Sequence, residues 1–520
     1  MRITFKALFA CSLAFAVLAS CSKQETGAPV EAYAVPTNEF RILAGSELKD
    51  VADRVTLFGA SQGVVVKFDY AGSIDAVDKL GEVHAYDAVW LSHGKYLQMV
   101  PAVKAQIKSS EKTMFSRVVL GVKPEKMREL GWKSGTTTWR DIISASKSGK
   151  FKFAMTNPAG SNTGFVSLLG VASELSGKGD ALEEGDIPTE KLKDMFVGQS
   201  MTAGSSGVLA EQFVANPQKA DGIINYQSVI RGISAKGIAL EVLVPKEGVI
   251  TADYPLMLLA TSKKQSFYDD LVTHLRSPEV QKQIGDETFR TPLAGDGSDE
   301  IINELPFPSS VKVVDALLGS FMDQYSKPAT SYFLLDTSGS MRDERIDELR
   351  KAMLSLSSAD SSVSGRFATF RQREHIKVTT FSDVVMPEQW YALTSDVMQN
   401  KELMEMFTKH ISALRADGGT AVYDALLSVY DTAQADLKQG DRAVSIVLMS
   451  DGESQTGSSI RDFLKVVATR GQPVVPVYAI LYGESSVAEM DRLTAATGGR
   501  VFDARKLSLK QVLKSIRTYQ

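Results

Sequence analysis

The stretch YFLLDTSGSM (332–341) decides the fold of the C-terminal part of the chain, because it ends an apolar run on an aspartate. The run YFLL predicts a buried strand, and Asp336, Ser338 and Ser340 follow it as the pattern D-x-S-x-S. One interpretation is a helix N-cap, since Ser and Asp at that position accept hydrogen bonds from unpaired backbone N–H groups. The other interpretation is a binding site, and the rest of the chain distinguishes the two.

Further apolar strands and a glycine-opened helix follow this stretch. AVSIVLMSDG (443–452) ends on Asp451, VVPVYAILYG (474–483) is a second such run, and RADGGTAVYDALL (415–427) predicts a helix that Thr420 opens. Near-continuous apolar strands separated by helices predict a parallel sheet that is covered on both faces. Ligands of such sheets bind outside the carboxyl ends of the strands, so we expect these oxygen-bearing residues to meet at one edge.

Together, the D-x-S-x-S pattern, a distant threonine after glycines and a strand-terminal aspartate resemble the metal-ion-dependent adhesion site of von Willebrand factor type A domains. The five matching positions are Asp336, Ser338, Ser340, Thr420 and Asp451. The resemblance covers residues 329–520 and implies a doubly wound, mainly parallel sheet of Rossmann-like type. It implies that the serines and the threonine bind the ion and that the aspartates hold it directly or through water. The implied cofactor is Mg²⁺, or Mn²⁺ or Ca²⁺, and a carboxylate of a protein partner completes its shell.

The chain from Glu39 to Leu293 alternates short apolar runs with amphipathic stretches, which predicts a layered α/β domain. Small hydroxyl residues follow glycine at four predicted helix starts, at Ser46, Ser73, Ser161 and Ser205. Helix N-termini attract anions through their free N–H groups and the helix dipole, so the four could converge on one oxyanion. The alternative is that each serine only caps its own helix.

Three segments of this region, TNPAGSNTGF (156–165), AGSSGVLAEQF (203–213) and DGIINYQSVI (221–230), resemble the type II periplasmic solute-binding fold. The resemblance is greatest to its molybdate/sulfate-like branch and implies a two-lobed domain over residues 39–293. It implies Ser46, Ser73, Ser161 and Tyr226 as candidates for binding a small oxyanion. Glu47, beside the first helix start, departs from this pattern. A solute-binding fold that has lost its small ligand is therefore the alternative.

The N-terminus predicts secretion and lipid anchoring. Residues 1–20 have a basic start and an apolar core too short to span a membrane, as in a signal peptide. LASC, ending on Cys21, resembles the bacterial lipobox, which implies a lipidated cysteine. Residues 21–38 are predicted to be a tether, and residues 294–328 a linker with a helix.

Composition excludes several classes of protein. The net charge is −4 and the chain has no Lys/Arg cluster, so we expect no nucleic-acid partner. The two cysteines lie in the signal peptide and at its end, which leaves no thiol for a disulfide or a zinc site. GASQG (59–63) matches the nucleophile motif G-x-S-x-G but follows a predicted helix instead of a strand. We therefore expect no enzymatic activity.

These patterns predict a lipoprotein of the bacterial cell envelope, anchored by lipid only, at the outer membrane on its periplasmic side or surface. Its expected function is to bind a protein or acidic ligand through a divalent-metal-dependent adhesion site. The alternative is a solute sensor or transport receptor, whose N-terminal lobes bind a small oxyanion and whose C-terminal domain docks a partner. Only the alternative requires a bound small anion.

Overall fold

The computed structural model describes residues 38–294, 303–357, 362, 364–451, 454–483 and 486–519. The predicted signal peptide, Cys21 and the tether as far as residue 37 lie outside the described residues. Among the residues that are described, no helix is both long and apolar enough to cross a membrane.

The N-terminal part consists of strands and helices in alternation. Its strands are β1 (Glu39–Ala44), β2 (Val65–Tyr70), β3 (Ala88–Trp90), β4 (Ile107–Lys112), β5 (Ser116–Val122), β6 (Phe153–Ala154), β7 (Gln199–Met201), β8 (Gly222–Tyr226), β9 (Glu241–Leu243), β10 (Ile250–Ala252) and β11 (Pro255–Leu259). Its helices are α1 (Lys49–Ser61), α2 (Ser73–Gly81), α3 (Lys95–Met99), α4 (Pro101–Lys104), α5 (Pro124–Leu130), α6 (Trp139–Lys147), α7 (Asn162–Ser176), α8 (Thr189–Phe196), α9 (Ser206–Ala215), α10 (Gln227–Ala235), α11 (Gln265–Arg276), α12 (Pro278–Thr288) and α13 (Val311–Ser320).

These strands form two separate sheets, one in each lobe. The first lobe has the order β2-β1-β3-β11-β4, in which β1 pairs in parallel with β2 and β3, while β11 is antiparallel to both neighbours. The second lobe has the order β10-β5-β8-β6-β7, with β9 on β5. The chain passes between the lobes after β4 and returns after β10, so the predicted two-lobed α/β domain is confirmed.

The segment from residue 303 to 328, which the sequence assigns to a linker, packs onto the second lobe. Val249 forms a bridge with Glu304, and Leu305 and Phe307 are buried. Four apolar residues of α13 are also buried, and they join the core of the N-terminal domain. The described part of this segment is therefore an integral piece of that domain instead of a free spacer. The Gly, Pro and acidic residues around it conceal the short apolar alternation in the sequence.

The C-terminal part contains a second α/β unit. Its strands are β12 (Ala329–Asp336), β13 (His375–Phe381), β14 (Gln389–Ala392), β15 (Ala443–Ser450), β16 (Val477–Leu481) and β17 (Arg500–Asp503). Its helices are α14 (Glu344–Ser357), α15 (Val397–Ala413), α16 (Val422–Gln439), α17 (Ile460–Arg470), α18 (Val487–Thr497) and α19 (Leu509–Arg517).

This unit is a doubly wound sheet, as the sequence predicts. The strand order is β14-β13-β12-β15-β16-β17, and every pairing is parallel except that of β14 with β13. Along β12, Phe333 and Leu335 face the core under α14, α15 and α19, while Tyr332 and Leu334 face the core under α16, α17 and α18. Burial on both faces explains why the strand is apolar at consecutive positions.

Two segments of the C-terminal unit pack against the N-terminal domain. In the segment after α14, the backbone N–H of Ser364 donates to Asp78 at 2.8 Å and Phe367 joins the N-terminal core. The second segment is α19, whose Lys514 donates to Asp75 at 3.2 Å. The two domains therefore share a continuous interface.

Candidate functional site

Three loops bring oxygen-bearing side chains to the carboxyl edge of the C-terminal sheet. Asp336 is the last residue of β12, and Ser338 and Ser340 follow it in a loop with a 3₁₀ turn at Gly339–Met341. Thr420 lies in the loop before α16, and Asp451 follows β15. β12 pairs with β15 in parallel, so both strand ends point to the same edge.

The hydrogen bonds in this cluster connect four of the five predicted residues. The Ser338 hydroxyl lies 3.0 Å from that of Ser340, which donates to Asp451 at 2.7 Å. Asp336 accepts from the backbone N–H of Ser338 at 2.8 Å and from the hydroxyl of Ser450 at 2.6 Å. The sequence analysis did not select Ser450, because a serine inside an apolar strand has no distinguishing pattern.

Backbone contacts hold the Thr420 loop against the other two loops. The N–H of Gly339 donates to Gly418 at 2.9 Å, and the N–H of Gln455 donates to the Thr420 carbonyl at 2.8 Å. Gly418 has a φ of 86°, and a Cβ there would collide with a carboxylate oxygen of Asp383. The glycine before Thr420 is therefore required for this close approach, and it places Thr420 in a buried position between the loops.

An arginine that the sequence analysis did not select balances part of the negative charge at this edge. Burial raises the pKa of Asp336, against the hydrogen bonds from Ser338 and Ser450 that lower it, and the charge of Asp451 raises it further. The Asp451 side chain is fully buried and forms an ion pair with Arg345, whose side chain is 37% exposed. A positive charge thus already lies against one of the two carboxylates.

The donor set fits a small hard cation. Adjacent ligands of an octahedral Mg²⁺ ion, each about 2.1 Å from the metal, lie about 3 Å from one another. The separations of 3.0 Å from Ser338 to Ser340 and 2.7 Å from Ser340 to Asp451 are hydrogen-bond distances, and they bring these oxygen atoms close enough together to reach one ion. The residues that would hold the ion are Asp336, Ser338, Ser340, Thr420 and Asp451. No group of three or more His, Cys, Asp or Glu residues suited to a metal occurs within the described ranges.

The N-terminal serines lie around a second candidate site, a cavity of about 460 Å³ that both lobes and the C-terminal domain line. Ser46 begins a 3₁₀ turn before α1, and Ser73 is the first residue of α2. Ser161 directly precedes α7, and Ser205 caps α9 by accepting from the Val208 N–H at 3.4 Å. All four serines line the cavity, as expected from the predicted helix starts.

A network of buried polar groups crosses the cavity floor. Ser73 donates to Asn162 at 2.7 Å, and Tyr226 donates to Ser92 at 2.7 Å. The amide of Asn162 donates to Tyr226 at 3.2 Å, which connects the two pairs. The Ser161 hydroxyl does not join this network and lies 3.2 Å from the hydroxyl of Thr163 instead. Asn162 and Ser92 were missed in the sequence analysis, although Asn162 adjoins a selected serine.

Glu47 is half-buried at the cavity wall, and its carboxylate reaches this network. The Tyr226 hydroxyl donates to its carboxylate at 3.4 Å. Burial raises the pKa of Glu47, while hydrogen bonds from its own backbone N–H and from Ser92, and the charge of Arg290, lower it. A guanidinium nitrogen of Arg290 donates to the Glu47 carbonyl at 2.6 Å.

The two lobes touch above this network, and the C-terminal domain covers their junction. A Cβ added to Gly72 of the first lobe would lie 2.7 Å from the carbonyl oxygen of Gly160 in the second lobe. A Cβ added to Gly160 would lie 2.6 Å from the methyl group of Thr518, just after α19. Lys514 of α19 contacts Asp75 of the first lobe. One helix of the C-terminal domain therefore contacts both lobes at the mouth of the cavity.

Two parts of the chain match known families. Residues 40–290 match the family of bacterial extracellular solute-binding proteins, and residues 332–516 match the von Willebrand factor type A domain. A search of curated proteins found no match. The two resemblances inferred from the sequence are therefore confirmed.

The solved structures similar to this chain include several binding proteins. The periplasmic binding protein AfuA from Actinobacillus pleuropneumoniae, with exogenous fructose-6-phosphate bound, is 13% identical over 56% of this chain and 99% of its own, with a TM-score of 0.44. The ferric binding protein from Campylobacter jejuni is 13% identical over 54% and 96%, with a TM-score of 0.41. The sulfate-binding protein SubI from Mycobacterium tuberculosis is 15% identical over 55% and 91%, with a TM-score of 0.39. At such low identities and TM-scores, the solutes of these proteins do not indicate which solute this chain binds.

Proposed function

We propose that this chain, which joins a bacterial extracellular solute-binding domain to a von Willebrand factor type A domain, binds a protein or acidic ligand through a divalent cation. The cation is Mg²⁺, or Mn²⁺ or Ca²⁺, at the carboxyl edge of the C-terminal sheet. The observation that supports this most is the convergence of two carboxylates and three hydroxyl residues from three loops at that edge.

The chemistry of the donor set explains why the partner is acidic. The three hydroxyl ligands are neutral, and aspartates that hold a divalent ion through water neutralise it only in part, so the ion attracts a further anion. Mg²⁺ retains water molecules that an incoming carboxylate replaces. We propose binding rather than catalysis, because every hydroxyl and carboxylate at this edge is then engaged in holding the ion.

The proposed location is the cell envelope. The match to extracellular solute-binding proteins supports export. The lipobox-like LASC supports lipidation at Cys21, and Ser22 instead of Asp after that cysteine supports an outer-membrane position. The alternative function, an oxyanion sensor or receptor, is supported by the hydroxyl network between the lobes, but Glu47 lies within that network.

Metal titration of the purified full-length chain tests the proposal. We expect Mg²⁺ and Mn²⁺ to bind and to raise the melting temperature of the wild type. Thr420→Ala removes one neutral ligand, so we expect weaker metal binding and loss of the partner. Asp336→Ala removes a charge and should abolish metal binding. Proteins of the detergent-solubilised envelope should be retained by the wild type with Mg²⁺ and released by EDTA.

Thr469→Ala is the matched control, because Thr469 lies on α17 and only donates to the Lys465 carbonyl. We expect it to leave the metal titration unchanged. If the residues of D-x-S-x-S only cap a helix, each Ser→Ala change costs about 1 kcal/mol whether or not metal is present. Negligible heats in all variants, with a melting temperature that EDTA does not change, would contradict the metal site.

A further inference from the structure

We propose that the carboxylate of Glu47 is a built-in ligand of the N-terminal cavity, occupying a subsite that otherwise takes a small carboxylate anion such as acetate. This inference concerns the other domain and goes beyond the proposed metal-dependent function.

The groups that face the Glu47 carboxylate are hydrogen-bond donors. The backbone N–H of Glu47 itself and the Ser92 hydroxyl bond to it, and the Tyr226 hydroxyl, which donates mainly to Ser92 at 2.7 Å, lies 3.4 Å from it. Glu47 lies in the 3₁₀ turn Ser46–Leu48 that leads directly into α1. The carboxylate therefore lies at the start of a helix, where the positive end of the dipole favours an anion.

The positive charge nearest to this subsite also favours an anion. Arg290 is 4% exposed, and besides the Glu47 carbonyl it donates to the carboxylate of Asp50 at 2.7 Å. A buried guanidinium beside the cavity raises the cost of placing a cationic ligand there. The arrangement thus disfavours an amine, and because burial raises the pKa of Glu47, the carboxyl group is held more readily when it is protonated.

The position of the Glu47 side chain depends on the glycine that precedes the turn. A Cβ on Gly45 would lie 2.5 and 2.6 Å from the two Glu47 carboxylate oxygens. The side chain therefore folds back over its own turn, in the space that a side chain at residue 45 would take. Glu47 also lines the cavity of about 460 Å³, so its carboxylate reaches into the space that a small ligand would take.

Chemical rescue tests the proposal on the purified full-length chain. Glu47→Ala removes the two carbons and two oxygens that acetate contains, so acetate should fill the space that is left. We expect acetate or formate to raise the melting temperature of Glu47→Ala by several degrees and to leave the wild type unchanged. If Glu47→Ala does not fold, Glu47→Ser is used, since serine is favourable at a helix start.

Three comparisons make the result decisive. Glu47→Gln keeps the volume and should show no rescue. Asp53→Ala, a change at an exposed carboxylate on the same helix, should behave as the wild type does. Sulfate and phosphate should rescue less than acetate, because they are tetrahedral and do not match the removed group. The proposal is overturned if no anion stabilises Glu47→Ala or Glu47→Ser, or if acetate stabilises the wild type to the same extent.

Discussion

The inter-lobe cavity and the carboxyl edge of the C-terminal sheet both collect polar side chains at the ends of strands and helices, but with opposite chemistry. The cavity presents donors around a carboxylate, Glu47. The sheet edge presents carboxylates and hydroxyls around a guanidinium, Arg345. The cavity, whose donors attract anions, thus already contains a carboxylate. The sheet edge, whose oxygen atoms attract cations, already contains a guanidinium.

The two regions differ in how easily the charged side chain can move out of the site. Arg345 is attached to the site by a long side chain that is more than one-third exposed, so water can solvate it when a competing cation arrives. Glu47 is held by hydrogen bonds in a cavity that residues of both lobes and of α19 line. We therefore expect the sheet edge to exchange its ligands readily and the cavity to keep the one it has.

The largest expected effect is that of removing the ion pair that anchors α19. Glu374 accepts from both terminal nitrogens of Arg517 at 2.6 Å, and both residues are buried. Glu374→Ala removes the carboxylate that balances this buried guanidinium, so we expect a loss of about 3–5 kcal/mol in the free energy of unfolding. Hydrogen exchange should increase in residues 509–519 and at the mouth of the cavity.

The matched control for this change is Asp431→Ala, which breaks an ion pair with Arg470 whose two side chains are half-exposed. We expect little change in stability there. If α19 supports the cavity and not the sheet edge, Glu374→Ala should leave the Mg²⁺ titration unchanged. An equal loss of metal binding would show that α19 supports both regions alike.

A smaller effect is expected from adding a methyl group where the second lobe contacts the C-terminal residues. A Cβ on Gly204 would overlap the Thr518 hydroxyl and lie 2.8 Å from the Tyr519 ring. Thr518 is held in place because its hydroxyl donates to the Ser515 carbonyl at 2.7 Å. We expect Gly204→Ala to cost about 1–3 kcal/mol and to make the C-terminal residues accessible to protease.

Gly207→Ala is the control, because Gly207 lies on α9 in the same region and a Cβ there meets no atom within 4 Å. We expect it to stabilise the protein by up to about 1 kcal/mol, through the better helix propensity of alanine. If both changes give the same result, the C-terminal residues do not cover the cavity in solution.

The smallest expected effect is a pH dependence specific to Glu47. Burial raises the pKa of Glu47 above its ordinary value of 4.5. The folded chain therefore binds this proton more tightly than the unfolded chain, which gives stability below pH 4.5 that is lost as pH rises through the folded pKa. The amide of Glu47→Gln has no such loss.

We therefore expect the stability of Glu47→Gln relative to the wild type to increase from about pH 4.5 upward, by at most about 1.4 kcal/mol per pH unit. Urea unfolding followed by tryptophan fluorescence measures this, since Trp90, Trp132 and Trp139 lie in the N-terminal domain. A difference that stays constant from pH 4 to 8 would mean that Glu47 is not buried as described, and Asp53→Asn is the control on the same helix.

The fold was predictable from the sequence because its strands carry strong local signals. β12 and β15 are apolar at consecutive positions, and a glycine or a capping residue marks the helix starts at Ser46, Ser73 and Ser205. The five residues of the proposed metal site could be selected because they occur in a recognisable order along the chain. What the sequence analysis missed depends on contacts between distant segments.

Arg345 and Arg290 illustrate that limit. Arg345 reaches Asp451 and Arg290 reaches Asp50 across large sequence separations, and neither arginine belongs to a motif. The orientation of Glu47 is equally hidden, since only the folded turn shows that its side chain points inward. The covering of the cavity by α19 involves two domains that the sequence analysis treated separately.

The position of α19 over the cavity also gives the protein an order of assembly. Domains fold as the chain emerges from its N-terminal end, so both lobes are made before Lys514 and Thr518 exist. The cavity is then open to its surroundings, and it is covered only when the last helix arrives. We therefore expect a ligand to enter the lobes more freely before the last helix arrives than after it.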